Sequence, residues 1–317
     1  MGIIAVSDVH LGYSLSDKEN FGKFLDDLAK KGNINKNGDI NHFVICGDLL
    51  DMWRRDMAGV TIENLDILSK LQNLKNLNPS IEVHYLGGNH DYHIHHLTKY
   101  QYPFDFTEHY DPRTGFTLTD GKKTYLFKHG YDFEKDMSTS ECMFDILSST
   151  SDEAGEFKSW LYDSLSNIEA FRRVDSGTIQ KLLGMAKVLF DEASVKAIES
   201  FFLLKPCNST GNQVNDLVNK DKLDALLKPF EERMKMPGNG IDMDSFNKSL
   251  KENEPLVFGH THIPFHYEND KKKAINLGSW ITTYNDHNVY LEIKDGQERL
   301  LVYPTGREIQ KTDVLPL

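Results

Sequence analysis

The chain opens on Ile3-Ile4-Ala5-Val6, an apolar run without alternation, and the run stops at Ser7-Asp8-Val9-His10. Successive strand side chains point to opposite faces, so a strand that is apolar at every position must be covered on both sides. That demand requires a sheet with one layer above it and another below, the arrangement of α/β folds. Open α/β sheets keep their ligands in the crevice beyond the carboxyl ends of the strands, which is where Asp8 and His10 fall. One hard carboxylate oxygen and one borderline imidazole nitrogen suit a divalent transition metal. Taken alone, an Asp-x-His is more often a turn than a metal site. Here the device recurs.

Four more apolar runs end the same way. His42 to Cys46 leads into Gly47-Asp48-Leu49-Leu50-Asp51, and Ile81 to Leu86 into Gly87-Gly88-Asn89-His90-Asp91. Thr124 to Lys128 leads into His129-Gly130, and Pro255 to Phe258 into Gly259-His260-Thr261-His262. The glycines at these ends let the backbone turn sharply or approach a ligand closely. Between the runs, Phe21, Phe24, Leu25 and Leu28 share one face of an amphipathic helix over Lys18 to Lys30. A second helix is predicted from about Ile62 to Leu77, closed by Pro79. Residues 31–41 and the aromatic-rich stretch after the third motif read as loops. Strands alternating with helices predict βαβ units in a mixed or parallel sheet. Further strands are expected at Lys273 to Leu277, Asn288 to Ile293 and Arg299 to Tyr303, the last two joined as a hairpin at Asp295-Gly296.

From Glu134 to Asn253 helical periodicity replaces the β-rich runs. Residues 158–173, 176–204 and 214–228 are predicted helices, the last bending or restarting at Pro229. The chain therefore divides into a first core part (1–133), an α-helical insertion or cap (134–253) and a second core part (254–317). The stripe ending in Phe201-Phe202-Leu203-Leu204 reads as packing within the insertion sooner than as an acyl-chain groove.

Asp8, His10, Asp48, Asn89, His129, His260 and His262 are too many ligands for one ion and suit two ions that share a carboxylate. Such ions, roughly 3.5–4 Å apart, clamp the attacking and leaving oxygens of a phosphoryl displacement. Imidazoles, carboxylates and one amide favour Mn²⁺, Fe, Zn²⁺ or Co²⁺ over Mg²⁺ or Ca²⁺. A formal charge of -12 argues against nucleic acid as a partner, since phosphate neutralisation needs clustered Lys and Arg. Cys46, Cys142 and Cys207 form no Cys-x-x-Cys, which fits a reducing compartment. The first strand follows Met1-Gly2 at once, leaving no room for a signal peptide, and no apolar run approaches the length of a membrane span. A cytoplasmic protein is expected, with any membrane contact transient.

In this order, Asp-x-His, Gly-Asp-x-x-Asp, Gly-Asn-His-Asp, a lone His after a strand and Gly-His-x-His resemble the signature of the calcineurin-like metallophosphoesterases. The match covers residues 1 to about 132 and 254 to about 280. The resemblance implies a four-layer α/β/β/α sandwich with a helical cap. It also implies a dinuclear phosphohydrolase in which a metal-bridging hydroxide attacks phosphorus, with manganese the expected metal. Asp8, His10, Asp48 and His262 would then hold the first ion. Asp48, Asn89, His129 and His260 would hold the second. His90 would protonate the leaving oxygen, and Asp51 would orient it. Within the family, Asp8 to Gly12, Gly47 to Trp53 and Leu277 to Trp280 look like the UDP-2,3-diacylglucosamine hydrolases, whose insertion forms a lid over a lipid-bearing sugar nucleotide. His90 and Ile263 stand where that branch usually has arginines. The expected substrate is a phosphodiester or pyrophosphate of a nucleotide-linked small molecule or lipid.

Other residues carry weaker signals. His93, His95 and His96 fit a solvated loop better than a substrate contact. Arg54 and Arg55 suit either a substrate anion or a surface pairing with Asp56, and Trp280 suits core packing better than stacking on a base. Two rival functions share the motifs. A metal-dependent nuclease is disfavoured by the negative charge, and a phosphoesterase-fold protein-binding scaffold by the complete ligand set.

Overall fold

Strand β1 (Gly2–Val6) is buried at every position, and its two faces enter different layers. Ile4 and Val6 pack with Phe21, Phe24, Leu25 and Leu28 of helix α1 (Lys18–Ala29). Ile3 and Ala5 face the other way, against Tyr125, Phe127, Val257 and Ile275. The unbroken apolar run is thus the middle of a sandwich. The computed structural model describes residues 1–30, 39–55, 57–96, 108–112, 114–133, 243–269 and 272–313. The helices expected over 158–173, 176–204 and 214–228 lie outside the described residues, as do Asp56 and most of the loop at 31–41.

In the first sheet, β1 lies beside β2 (Ile40–Cys46), followed by β3 (Glu82–Leu86) and β4 (Glu108–Tyr110), all parallel. On the other side of β1 come β10 (Val289–Lys294), β11 (Gln297–Val302) and β12 (Arg307–Glu308), each antiparallel to its neighbour. The second sheet runs β13 (Lys311–Thr312), β8 (Phe265–Asn269), β9 (Lys272–Asn276), β7 (Leu256–Phe258), β6 (Thr124–Phe127) and β5 (Phe116–Thr119). In β7 the alternation is explicit. Val257 faces the first sheet, while Leu256 and Phe258 pack outward with Phe133 and with Phe246 of helix α4 (Met243–Ser249). Helices, sheet, sheet and helix make the expected α/β sandwich of metallophosphoesterase type. No described helix is long and apolar enough to cross a membrane.

Two differences from the sequence reading have local causes. The helix expected over 62–77 is two helices, α2 (Met57–Glu63) and α3 (Leu65–Leu77). Asn64 interrupts them. Its side-chain amide donates to Val60 O at 2.8 Å, competing with the backbone as Asn side chains do. The aromatic-rich stretch read as a loop contains β4 and β5, which are short and partly polar. The predicted hairpin forms: Lys294 pairs with Gln297, and Asp295 (φ 55) and Gly296 (φ 76) make the doubly left-handed turn that suits a two-residue connection.

Glu298 of β11 is nearly buried and bridges the two sheets. Its Oε1 accepts from Lys123 Nζ at 2.9 Å and the Tyr125 hydroxyl at 3.0 Å, and its Oε2 from Lys273 Nζ at 3.3 Å. Burial alone would raise the Glu298 carboxyl, but the two lysines and the tyrosine hold it below its ordinary value of 4.5. A depressed folded-state value stabilises above the unfolded value and is lost as pH falls through the folded one. Glu298→Gln is therefore expected to cost about 1–3 kcal/mol at neutral pH, a buried charge-assisted cluster with one partly exposed lysine. Urea melts of both proteins should converge below pH 4.

Candidate metal centre

The carboxyl ends of β1, β2, β3, β6 and β7 meet at one end of the sandwich. Backbone hydrogen bonds join the segments beyond them. Asp8 N–H donates to Gly47 O (3.1 Å), His10 N–H to Asp48 O (2.9 Å), Gly259 N–H to His129 O (2.9 Å) and Trp280 N–H to Asp8 O (3.0 Å). Asp8, His10, Asp48, His260 and His262 all adopt left-handed backbone, with φ between 51 and 68. Such a conformation costs a non-glycine residue about 1–3 kcal/mol and persists where the surroundings over-determine it. Here it frees the side chains from strand alternation. Two glycines are needed for space alone. A Cβ on Gly88 would overlap Asp48 Oδ1 and lie 2.6 Å from Asp48 N, and a Cβ on Gly259 would overlap Ser7 Oγ and Asp8 Oδ2.

All seven candidate ligands come together, five of them buried, with His260 and His262 half-buried at the rim. His10 Nε2 lies 3.2 Å from His262 Nε2 and 3.7 Å from both Asp8 Oδ1 and Asp48 Oδ2. His262 Nε2 is 3.2 Å from Asp8 Oδ1. On the other side, His129 Nε2 is 3.3 Å from Asp48 Oδ2 and 3.0 Å from Asn89 Oδ1, and His260 Nδ1 is 2.9 Å from Asn89 Oδ1. Asp48 therefore stands between two groups, Asp8–His10–His262 and Asp48–His129–His260, each with donor atoms close enough to share an ion.

The hydrogen-bond chemistry fits cations. His129 Nδ1 is 2.9 Å from Cys46 O, which can only accept, so Nδ1 carries the hydrogen and Nε2 presents its lone pair. That lone pair meets a carboxylate oxygen and an amide oxygen, both acceptors. His10 is held alike, with Nδ1 3.3 Å from Asp51 Oδ2, and its Nε2 faces another imidazole. Asp8 Oδ1 is buried and makes no hydrogen bond, with His262 Nε2 3.2 Å away. Acceptors crowded this way need positive charge between them. Burial would lower both His10 and His129. The carboxylates of Asp51, Asp8 and Asp48 instead push His10 up to about 10, and chiefly Asp48 pushes His129 up to about 9. A metal competes with those protons for the same lone pairs.

His90 and Asp51 sit beside this cluster. His90 Nδ1 is 3.1 Å from Asp51 Oδ1, and His90 N–H donates to Asp48 Oδ1 at 2.8 Å. Burial pulls the imidazole below its ordinary value, opposed by the Asp51 and Asp48 carboxylates. Arg54 bonds Asp51 Oδ2 at 2.5 Å and stacks over Tyr13, while Arg55 pairs with Glu63. His93 is half-buried on a 3-10 turn over Tyr92–His96, and the side chains of His95 and His96 lie outside the described residues. Trp280 is fully buried against Phe21, Phe24 and Tyr303, a core residue as expected.

Three participants had no role assigned to them from the sequence. Trp53 stacks on His90 with ring centroids 4.0 Å apart, and the Tyr284 hydroxyl is 2.9 Å from His262 Nδ1. Asp91 accepts from Gly88 N at 2.6 Å, Leu50 N at 3.2 Å and Asp48 N at 3.3 Å, and from the Tyr85 hydroxyl. It thereby ties the second motif to the third. Burial and the neighbouring Asp48 charge push its carboxyl up to about 6. Its place at the end of Gly-Asn-His-Asp was its sequence signal, as the end of the Gly47 to Trp53 stretch was for Trp53; Tyr284 offered none. Gly88→Ala is expected to displace the Asp48 carboxylate, weakening metal binding about 10- to 100-fold, the range for disturbed supporting contacts. The overpacking itself costs about 1–3 kcal/mol. Metal titration beside a thermal melt separates the two effects.

The family model described as calcineurin-like phosphoesterase matches residues 1–280. Among solved structures the chain is similar to Yfce, a phosphoesterase from E. coli, at 12% identity, covering 98% of this chain and 97% of that one with a TM-score of 0.44. It is also similar to a dimetal phosphatase from Danio rerio, at 11% identity, 95% coverage of each chain and a TM-score of 0.41. A third similarity is to a Vps29 single mutant from Entamoeba histolytica, at 16% identity, 97% coverage of each chain and a TM-score of 0.35. A search of curated proteins gives no match.

Proposed function

The chain belongs to the calcineurin-like phosphoesterase family, and from that premise we propose that it is a dinuclear phosphohydrolase acting on a phosphodiester or pyrophosphate bond. In this reading Asp8, His10, Asp48 and His262 hold one divalent ion, and Asp48, Asn89, His129 and His260 hold the other. The observation that carries it is the paired set of acceptors, four imidazoles and two carboxylates facing one another with Asp48 between the groups. Two bound ions supply a water of lowered pKa and charge neutralisation at the phosphoryl oxygens.

The chain's own residues do the rest. Asp51 accepts a hydrogen bond from His90 Nδ1–H and fixes its tautomer, so the proton for the leaving oxygen moves through Nε2. The Trp53 ring behind His90 limits its rotation. His10 Nδ1 and Arg54 bind the other oxygen of Asp51, which locks the orienting carboxylate in place. A nucleotide-linked small molecule or lipid is the substrate class proposed, following the Gly47 to Trp53 and Leu277 to Trp280 resemblance. Manganese is the metal proposed.

The test is hydrolysis of bis-p-nitrophenyl phosphate and p-nitrophenyl phosphate by chelator-stripped protein after Mn²⁺ is restored. Mn²⁺-dependent turnover that favours the diester supports the proposal. Preference for the monoester makes the chain a phosphatase. Absence of turnover with both ions bound favours a binding scaffold.

A further inference from the structure

At the other end of the first sheet, three metal-binding side chains meet without belonging to the centre above. In the β2–β3 ladder, His42 pairs with Glu82 and Val44 with His84. Side chains two residues apart share a face, so His42, Glu82 and His84 lie together on the side that carries Val44, Cys46 and Leu86 into the inter-sheet core. They stand at the amino ends of these strands. Four residue steps of about 3.3 Å separate His42 from Cys46, which places the cluster about 13 Å of strand away from the start of the Gly-Asp motif.

The donor atoms are already close to a coordination geometry. His42 Nδ1 is 3.0 Å from His84 Nε2 and 3.5 Å from Glu82 Oε2, and His84 Nε2 is 3.9 Å from Glu82 Oε2. Ligand atoms about 2.0–2.2 Å from a tetrahedral zinc stand about 3.3–3.6 Å apart, so an ion fits among the three with shifts of a few tenths of an ångström. The supporting contacts fit as well. His84 Nδ1 is 2.9 Å from the Tyr110 hydroxyl, and its ring stacks on Phe116 at 5.5 Å, which fixes the ring orientation. Burial pushes His84 down to about 4 and also lowers His42. The Glu82 side chain is 67% exposed, which leaves an approach from solvent and room for a water as fourth ligand.

We propose that His42, Glu82 and His84 form a zinc site distinct from the candidate catalytic centre, one that clips β2 to β3. Those two strands carry Asp48, Asp51, Asn89 and His90 at their opposite ends, so the clip stiffens the pair of strands that position the chemistry. It takes part in no reaction step.

Zinc titration of metal-stripped, full-length protein, counted by elemental analysis after gel filtration, tests this. His42→Gln and Glu82→Gln are each expected to bind one zinc fewer than the unsubstituted protein, and to lose the part of the zinc-dependent thermal shift that the extra ion contributes. Their Mn²⁺-supported phosphodiesterase rate should stay within about twofold. The readout is the difference of one equivalent, so it stands whatever number of ions the catalytic centre itself proves to hold. Equal zinc content in all three proteins overturns the proposal and leaves a hydrogen-bonded histidine pair beside an exposed glutamate.

Discussion

Asp48→Ala is expected to abolish metal-dependent hydrolysis, with a fall of about a thousandfold or more. Each ion at a phosphoryl centre supplies several kcal/mol of transition-state stabilisation, and about 1.4 kcal/mol is a factor of ten. Asp48 lies within 3.3 Å of His129 Nε2 and 3.7 Å of His10 Nε2, so its loss weakens both proposed ion positions together. Asp48 Oδ1 also accepts the His90 N–H, and truncation leaves that donor without its buried acceptor. Asp48→Asn is the control. It keeps the shape and an oxygen for His90 and removes only the charge, so it should fold as the original chain does and still lose most of its bound metal. Elemental analysis with steady-state kinetics and a melt checks all three statements. Full activity in the Asn variant would contradict the bridging role.

His90→Ala is expected to lower the rate by about 10²–10⁴, the usual contribution of a positioned acid or base. The loss should depend on the leaving group. A p-nitrophenolate leaves without much help, so the variant should be impaired least on nitrophenyl esters and most on alkyl or sugar phosphodiesters. Its metal content should stay near that of the unsubstituted chain, because His90 is held by Asp51 and touches Asp48 through its backbone amide. Asp51→Asn should reproduce the same leaving-group pattern at smaller magnitude, since it misdirects the imidazole without removing it. A uniform loss across leaving groups would assign His90 to binding.

Much of this architecture was legible because strand burial writes a simple code. Ile3 to Val6 could be apolar at every position only inside a sandwich, and the Asp295-Gly296 turn demanded a hairpin. The convergence of Asp8, Asp48, Asn89, His129 and His260 was legible for a related reason. Central strands that run parallel deliver their carboxyl ends to one edge, whatever the loops between them do. Other features carry no such code. The break at Asn64 depends on one side-chain hydrogen bond, and β12 and β13 are two residues each, too short for any period to show. Tyr284 meets His262 across an irregular loop, where neither spacing nor alternation constrains position. The His42–Glu82–His84 cluster was hidden for another reason. It arises from the register between two strands, and register is a property of the pair that neither segment announces alone.

The pairing of two ions around Asp48 is tested most directly by loading metal-stripped protein with Mn²⁺, counting the bound ions and recording the electron paramagnetic resonance spectrum. Two ions sharing one carboxylate, roughly 3.5–4 Å apart, give two catalytic-centre Mn²⁺ per chain and an exchange-coupled signal that disappears in Asp48→Ala. One Mn²⁺ per chain with an isolated six-line spectrum, alike in both proteins, would contradict the dinuclear centre.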